Sequence, residues 1–114
     1  MAKDSMADKA LSPTALDILE RLGQGIRTAR TRRGFRQEDL AKRASMSRVR
    51  LRKLENGDPS VGLGALVQIL EILGLLEQFS RVADPGGDEL GQALEARQRK
   101  GRVDSKTRVE DLDF

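Results

Sequence analysis

Residues 37–56 read Gln37-Glu38-Asp39-Leu40-Ala41-Lys42-Arg43-Ala44-Ser45-Met46-Ser47-Arg48-Val49-Arg50-Leu51-Arg52-Lys53-Leu54-Glu55-Asn56. The spacing predicts a helix of little more than two turns over 37–44, a break at Ser45-Met46, and a second short helix over 47–56. Asn56-Gly57 is a stop signal, because glycine accepts the left-handed conformation that ends many helices. Leu40 and Ala41 stand where the first helix needs a core residue and then a small one, since the second helix crosses there at close range. Ala44 faces the same crossing, and Met46 plugs the turn. Leu51 and Leu54 form the inward stripe of the second helix, which leaves Arg48, Val49, Arg52 and Lys53 outward.

Upstream, Ser12-Pro13 reads as a helix start, with serine at the cap and proline in the first turn, where its missing N–H costs nothing. Leu16, Leu19, Leu22, Ile26 and Ala29 then recur every three or four residues, the stripe of an amphipathic helix running to about Arg33 and closed by Gly34. Gly23 and Gly25 each weaken that helix by roughly 1 kcal/mol relative to alanine, so tertiary packing must hold it, with another helix approaching at those points. Downstream, Asp58-Pro59-Ser60 turns the chain into a helix over 61–73 whose Leu63, Leu66, Val67, Ile69, Leu70 and Leu73 make a wide apolar face, ended by Gly74. A fifth short helix over 75–83 points Leu76, Phe79 and Val82 inward, and 84–87 breaks it. Residues 88–98 have only the thin seam Leu90, Ala93 and Leu94, the mark of a weak surface helix. Residues 99–114 lack periodicity and are expected to be disordered unless bound. No strand-like alternation or internal repeat is evident. The expected fold is all-α: a five-helix domain over 13–83, a flexible N-terminus over 1–12, and a weakly helical or disordered extension over 84–114.

The chain has 114 residues and no Cys, His, Trp or Tyr. That excludes a thiolate nucleophile, an imidazole base, a Ser-His-Asp triad, a disulfide and the usual nitrogen and sulfur zinc site. The carboxylates show no paired spacing for metal or acid/base work, and Gly23-Gln24-Gly25 lacks the strand and further glycines of a nucleotide loop. An enzyme is therefore not expected, nor a cofactor. Charge is segregated along the chain: residues 21–56 hold twelve basic and three acidic residues, 57–95 hold one and seven, and 96–109 hold six and one. A basic block of this kind suits a polyanion such as nucleic acid, although a solvated face would read the same. The first ten residues lack the apolar core of a signal peptide, and the most apolar run, 61–76, is too short to span a bilayer. A cytoplasmic protein, with no membrane partner, is expected.

The run Gln37-Glu38-Asp39-Leu40-Ala41, then Met46-Ser47 and Leu54-Glu55-Asn56-Gly57, resembles the phage-repressor-like, or Xre/Cro-type, helix-turn-helix family of bacterial regulators, over about residues 16–76. Two positions depart from the pattern. Ser45 stands where glycine is common, so a left-handed backbone there carries strain. Arg36 replaces the usual capping Ser or Thr, losing an acceptor and offering a phosphate contact instead. The resemblance implies that Gln37 and Asn56 contact phosphates, that Ser47 begins the recognition helix, that Arg48, Val49 and Lys53 approach base edges, and that Arg50 and Arg52 lie nearer the backbone or the rim. The physical chemistry agrees: arginine can bridge O6 and N7 of guanine, and valine can pack on a thymine methyl. Arg27 and Arg30, by contrast, are expected to leave sequence preference unaffected. One motif reads few base pairs and a small core gains from a partner, so a homodimer on a palindromic double-stranded DNA operator is expected, through the exposed remainder of 61–83.

Ile72-Leu73-Gly74-Leu75-Leu76, followed by Phe79, Val82-Ala83-Asp84-Pro85 and an arginine-rich tail, further resembles HipB-like antitoxins, which partner HipA-like serine/threonine kinase toxins. That resemblance implies a repressor that autoregulates its operon and binds a kinase through its acidic segment. A solitary helix-turn-helix regulator with no toxin is the alternative. The tail over 97–114 is compatible with a degradation-prone segment, a second DNA arm, a strand that enters a partner, or a solvated end.

Overall fold

The computed structural model describes residues 10–112, with side chains through Val103, and divides into two units, Met1–Phe79 and Ser80–Phe114. The first nine residues of the expected flexible N-terminus, and the last two of the tail, lie outside the described residues. In the first unit α1 spans Pro13–Arg32, α2 Gln37–Arg43, α3 Arg48–Glu55, α4 Leu63–Leu73 and α5 Leu76–Ser80. No strand occurs among the described residues.

Helix α1 starts as its sequence signals: the Ser12 hydroxyl accepts from the Ala15 N–H at 3.0 Å, ahead of Pro13. Its C-terminal half supplies the core with Ile26 and Ala29, whereas Ile18 and Leu22 on the N-terminal half are exposed. Leu40, Ala41 and Ala44 from α2 and its end, Leu51 and Leu54 from α3, and Ile69, Leu70 and Leu73 from α4 complete one cluster. Met46, Leu76 and Phe79 pack against it half-buried. Burial of this apolar area, at roughly 25 cal/mol per Å², is the main force holding the unit.

Three expectations shift. Helix α4 begins at Leu63 rather than 61, because Asp58 holds the preceding turn: its Oδ1 accepts from the Ser60 N–H at 2.9 Å and hydroxyl at 2.7 Å. Those bonds also keep the Asp58 carboxyl below its ordinary range. With the later start, Leu63 is 67% exposed and Ala65 is buried in its place. Helix α5 is only five residues long, and Val82 beyond it is exposed.

The turn between α2 and α3 forces Ser45 to φ +54°, the left-handed conformation anticipated for this position. It persists because the chain on either side is tied down, with the Met46 N–H donating to the Ala41 carbonyl at 3.0 Å. The two glycines of α1 differ. A Cβ at Gly23 would overlap the Glu55 carbonyl oxygen and lie 2.8 Å from the Gly57 nitrogen, while a Cβ at Gly25 would meet open space. The close approach expected at both is real only at Gly23. Gly57 completes the crossing, since a Cβ there would lie 2.7 Å from the Leu19 carbonyl and the Glu20 nitrogen.

In the second unit a single 3-10 turn, Pro85–Gly87, is capped by Asp84, and α6 runs over Glu89–Leu112. Asp88 accepts from the Gly91 N–H at 2.9 Å at its start, and Gln92 Nε2 donates to the Pro85 carbonyl at 3.0 Å. The helix expected over 88–98 continues to Leu112 in the structure, within the extension expected to be weakly helical or disordered. Its Glu, Gln, Ala, Leu, Arg and Lys residues are good helix formers, no proline follows Pro85, and Arg99 bonds Glu95 one turn back at 2.6 Å. None of these signals is an apolar period.

Gly23→Ala is expected to destabilise the protein by roughly 1–3 kcal/mol through backbone overlap. Gly25→Ala should stabilise it by roughly 0.5–1 kcal/mol through the helix preference of alanine. Urea unfolding of the two variants beside the parent checks the opposite signs.

Candidate nucleic-acid interface

Helix α3 presents its outer face because its inner face is fully committed. Leu51, Leu54 and Glu55 are buried, and Ser47 caps the start by accepting from the Arg50 N–H at 3.0 Å. Arg48, Val49, Arg50, Arg52 and Lys53 are left exposed, Val49 at 56%. The side chains of Arg48, Arg50 and Arg52 form no ion pair or hydrogen bond among the described residues, so their donors are free for a ligand. Lys53 lies close enough to Asp58 to help hold that carboxyl ionised. Fixed cations around one exposed branched aliphatic side chain provide hydrogen-bond donors and a methyl surface, the two groups that base edges complement in the major groove.

Six of the predicted residues line three recesses, and Val49, Arg52 and Lys53 stand exposed on α3 outside them. Arg36, Gln37 and Arg48 line one of about 340 Å³, together with Glu38 and the edge of Arg30. Ser47 and Arg50 line a second of about 640 Å³, shared with Gly64 and Gln68 of α4. Asn56 lines a third of about 350 Å³ with Arg27, Gln24 and Glu20. Gly64, Gln68 and Gln24 were not anticipated, because only the packing of α4 and α1 beside α3 brings them there. At the start of α2 the missing Arg36 acceptor is half compensated: the Asp39 carboxylate accepts from the Arg36 backbone N–H at 3.3 Å.

Behind this face lies a buried ionic cluster. Arg30 grips Glu55 bidentately, Nε to Oε2 at 2.6 Å and Nη2 to Oε1 at 3.1 Å, and its Nη1 donates to the Phe35 carbonyl at 2.9 Å. Gln37 Nε2 donates to Glu55 Oε1 at 3.0 Å, and Arg27 Nε reaches the same oxygen at 3.4 Å. Arg27 Nη2 also donates to Asn56 Oδ1 at 3.3 Å. Two residues expected at phosphates are therefore tethered. Gln37 keeps one amide hydrogen for a ligand, and Asn56 keeps its amide donors. Arg30 is 8% exposed and is a strut of the fold rather than a surface cation, so its loss reports on folding and not on DNA contact. The hint available earlier was the three-residue spacing of Arg27 and Arg30 on the core side of α1.

Burial by itself would push the Glu55 carboxyl up. Hydrogen bonds from Arg30, Gln37 and Arg27, with the charge of Arg30, outweigh it and hold the group below its ordinary value of 4.5. A depressed folded value means the stabilisation is fully present above the ordinary value and is lost as pH falls through the folded one. Urea unfolding followed from about pH 6 down to about pH 3 should show this loss, and Glu55→Gln should remove its share of the slope. Arg30→Ala, which leaves a buried carboxylate unpaired, should cost about 3–5 kcal/mol at neutral pH.

A family model described as a helix-turn-helix domain matches residues 21–78, just over half of the chain. Comparison with curated proteins and with solved structures returned no match. The matched span holds the C-terminal part of α1, both helices around the Ser45 turn, α4, and α5 through Gln78, and no helix among the described residues is long and apolar enough to cross a membrane. With Arg48, Val49 and Arg52 displayed on the second helix of that motif, the chain belongs to the helix-turn-helix domain family.

Proposed function

We propose that this protein is a sequence-specific, DNA-binding transcriptional repressor. The observation that carries this is the two-sided character of α3: its inner face is locked by Leu51, Leu54 and the Arg30–Glu55 pair, and its outer face holds unpaired Arg48, Arg50 and Arg52 around exposed Val49. A helix fixed in rotation can aim Arg48, Val49 and Lys53 at particular base edges, while Arg36, Gln37 and Asn56 at the motif's ends set its height on the phosphates.

The protein acts as a homodimer on a palindromic operator. Exposed Ile18, Leu22 and Leu63 support a self-association surface, and so does an apolar groove of about 330 Å³ lined by Leu11, Leu19, Leu22, Pro59, Val61 and Leu66. That surface takes in α1 as well as the start of α4, where Leu63 is the exposed part of the segment 61–83, while Leu76 and Phe79 pack on the core as expected. The narrower role, an antitoxin that autoregulates its operon and binds a HipA-like serine/threonine kinase, is supported by the sequence resemblance over residues 72–85 and the arginine-rich tail. Co-purification of a near-stoichiometric kinase from native cells tests it. Recovery with DNA alone favours a solitary regulator.

Arg48→Ala is expected to reduce discrimination between a duplex selected from a random pool and an unselected one by about 1–3 kcal/mol. Fluorescence anisotropy titrations with both duplexes measure this. An equal loss on the two duplexes would rule out base reading by Arg48.

A further inference from the structure

The cations of α6 are unaccounted for by the helix-turn-helix motif. Residues 96–103 read Ala96-Arg97-Gln98-Arg99-Lys100-Gly101-Arg102-Val103, with four basic and no acidic residues, and the side chains of Arg97, Arg99, Lys100 and Arg102 are exposed. Arg99 pairs with Glu95 in an exposed bridge worth little in water, while Arg97, Lys100 and Arg102 form no ion pair among the described residues. From these observations we propose that the basic segment of α6 is a second, sequence-independent contact to the phosphate backbone of double-stranded DNA. The inference deepens the DNA-binding role proposed above and rests on it for the identity of the ligand.

Charge density makes the match. At a rise of about 1.5 Å per residue, residues 97–102 place four positive charges along roughly 7.5 Å of helix axis. Duplex DNA carries one negative charge per about 1.7 Å of its axis, or roughly four over the same length. At about 100° per residue, Arg97 and Lys100 fall on one side of the helix and Arg99 and Arg102 on the opposite side. Such a distribution suits contact with a groove walled by phosphates on both sides.

An anionic membrane is the poorer ligand. Interfacial helices need an apolar face opposite their cations, and the side chains described in α6 form none: exposed Leu90 and Leu94 share the side of Arg97, and exposed Val103 lies on the other. Direct base reading is also disfavoured, because none of the described residues of α6 is buried, and a helix without a buried face to fix its rotation cannot hold a donor at one base edge. The contact is therefore electrostatic and indifferent to sequence.

The test uses the full chain and the quadruple variant R97Q/R99Q/K100Q/R102Q. Each is titrated against a selected duplex, a random duplex, and mixed phosphatidylcholine/phosphatidylserine vesicles over a range of salt concentrations. The expected result is an equal fold-loss of affinity on both duplexes. The plot of log affinity against log salt should be shallower by about two to four, at about 0.9 per phosphate released. Restoring positive charge with R97K/R99K/R102K should restore the slope, which a folding defect would not. An unchanged slope in the quadruple variant, with selective binding intact, overturns the inference and leaves the helix-turn-helix reading standing. Binding without selectivity that disappears in the quadruple variant supports the inference and overturns the other reading. Tighter binding to the vesicles than to the random duplex, or no binding to either duplex, overturns the inference.

Discussion

A single buried carboxylate organises the DNA-facing part of this molecule. Glu55 sits at the last turn of α3 with its side chain fully enclosed, and Arg30 of α1 meets it with a parallel pair of hydrogen bonds. Burying two charges costs several kcal/mol per ion, which is offset here only because Glu55 also accepts from Gln37 and Arg27 and Arg30 also donates to the Phe35 carbonyl. The net stability gained is small. The penalty for displacement is large, because any rotation of α3 that parts Glu55 from Arg30 strands both charges in the interior. The pair therefore acts as a rotational lock, and the direction in which Arg48, Val49 and Arg52 project follows from it.

The lock works because the backbones are in contact where it closes. Gly23 and Gly57 let α1 and the exit from α3 meet at a distance no side chain would allow, which brings Arg30, one and a half to two turns further along α1, level with Glu55. Leu40, Ala41, Ala44 and Leu51 hold the other side of α3 against α2, and the strained Ser45 turn sets the angle between those helices. The result is a basic surface whose charges are exposed but whose scaffold is rigid, the combination that separates reading of sequence from simple attraction to phosphate.

The second unit follows a different logic. Helix α6 has no buried residue among those described, and it exists through hydrogen bonds along its own backbone and favourable local composition. Apolar periodicity, the signal that exposed the first five helices, detects a face that must be hidden from water. A helix with nothing to hide gives no such signal, so residues 99–112 resemble a disordered tail when judged by period alone. The exposed Arg97, Arg99, Lys100 and Arg102 make that helix a rod of positive charge.

Spacing in the sequence was enough to determine the all-α class, the positions of the first five helices to within a few residues, the inward roles of Leu40, Ala41, Leu51 and Leu54, and the outward set around Arg48, whereas the left-handed turn at Ser45 followed from the family resemblance. Each of these depends on neighbours within a turn or two. Tertiary structure decided which of several like residues do unlike work. Gly23 and Gly25 are equivalent in one dimension, yet only Gly23 touches another backbone. Arg27 and Arg30 share a face of α1, yet Arg30 is enclosed and Arg27 remains half exposed. Gln37 turned inward to Glu55, because contacts across 18 to 28 residues of chain determine burial and partnership, and no local pattern encodes them.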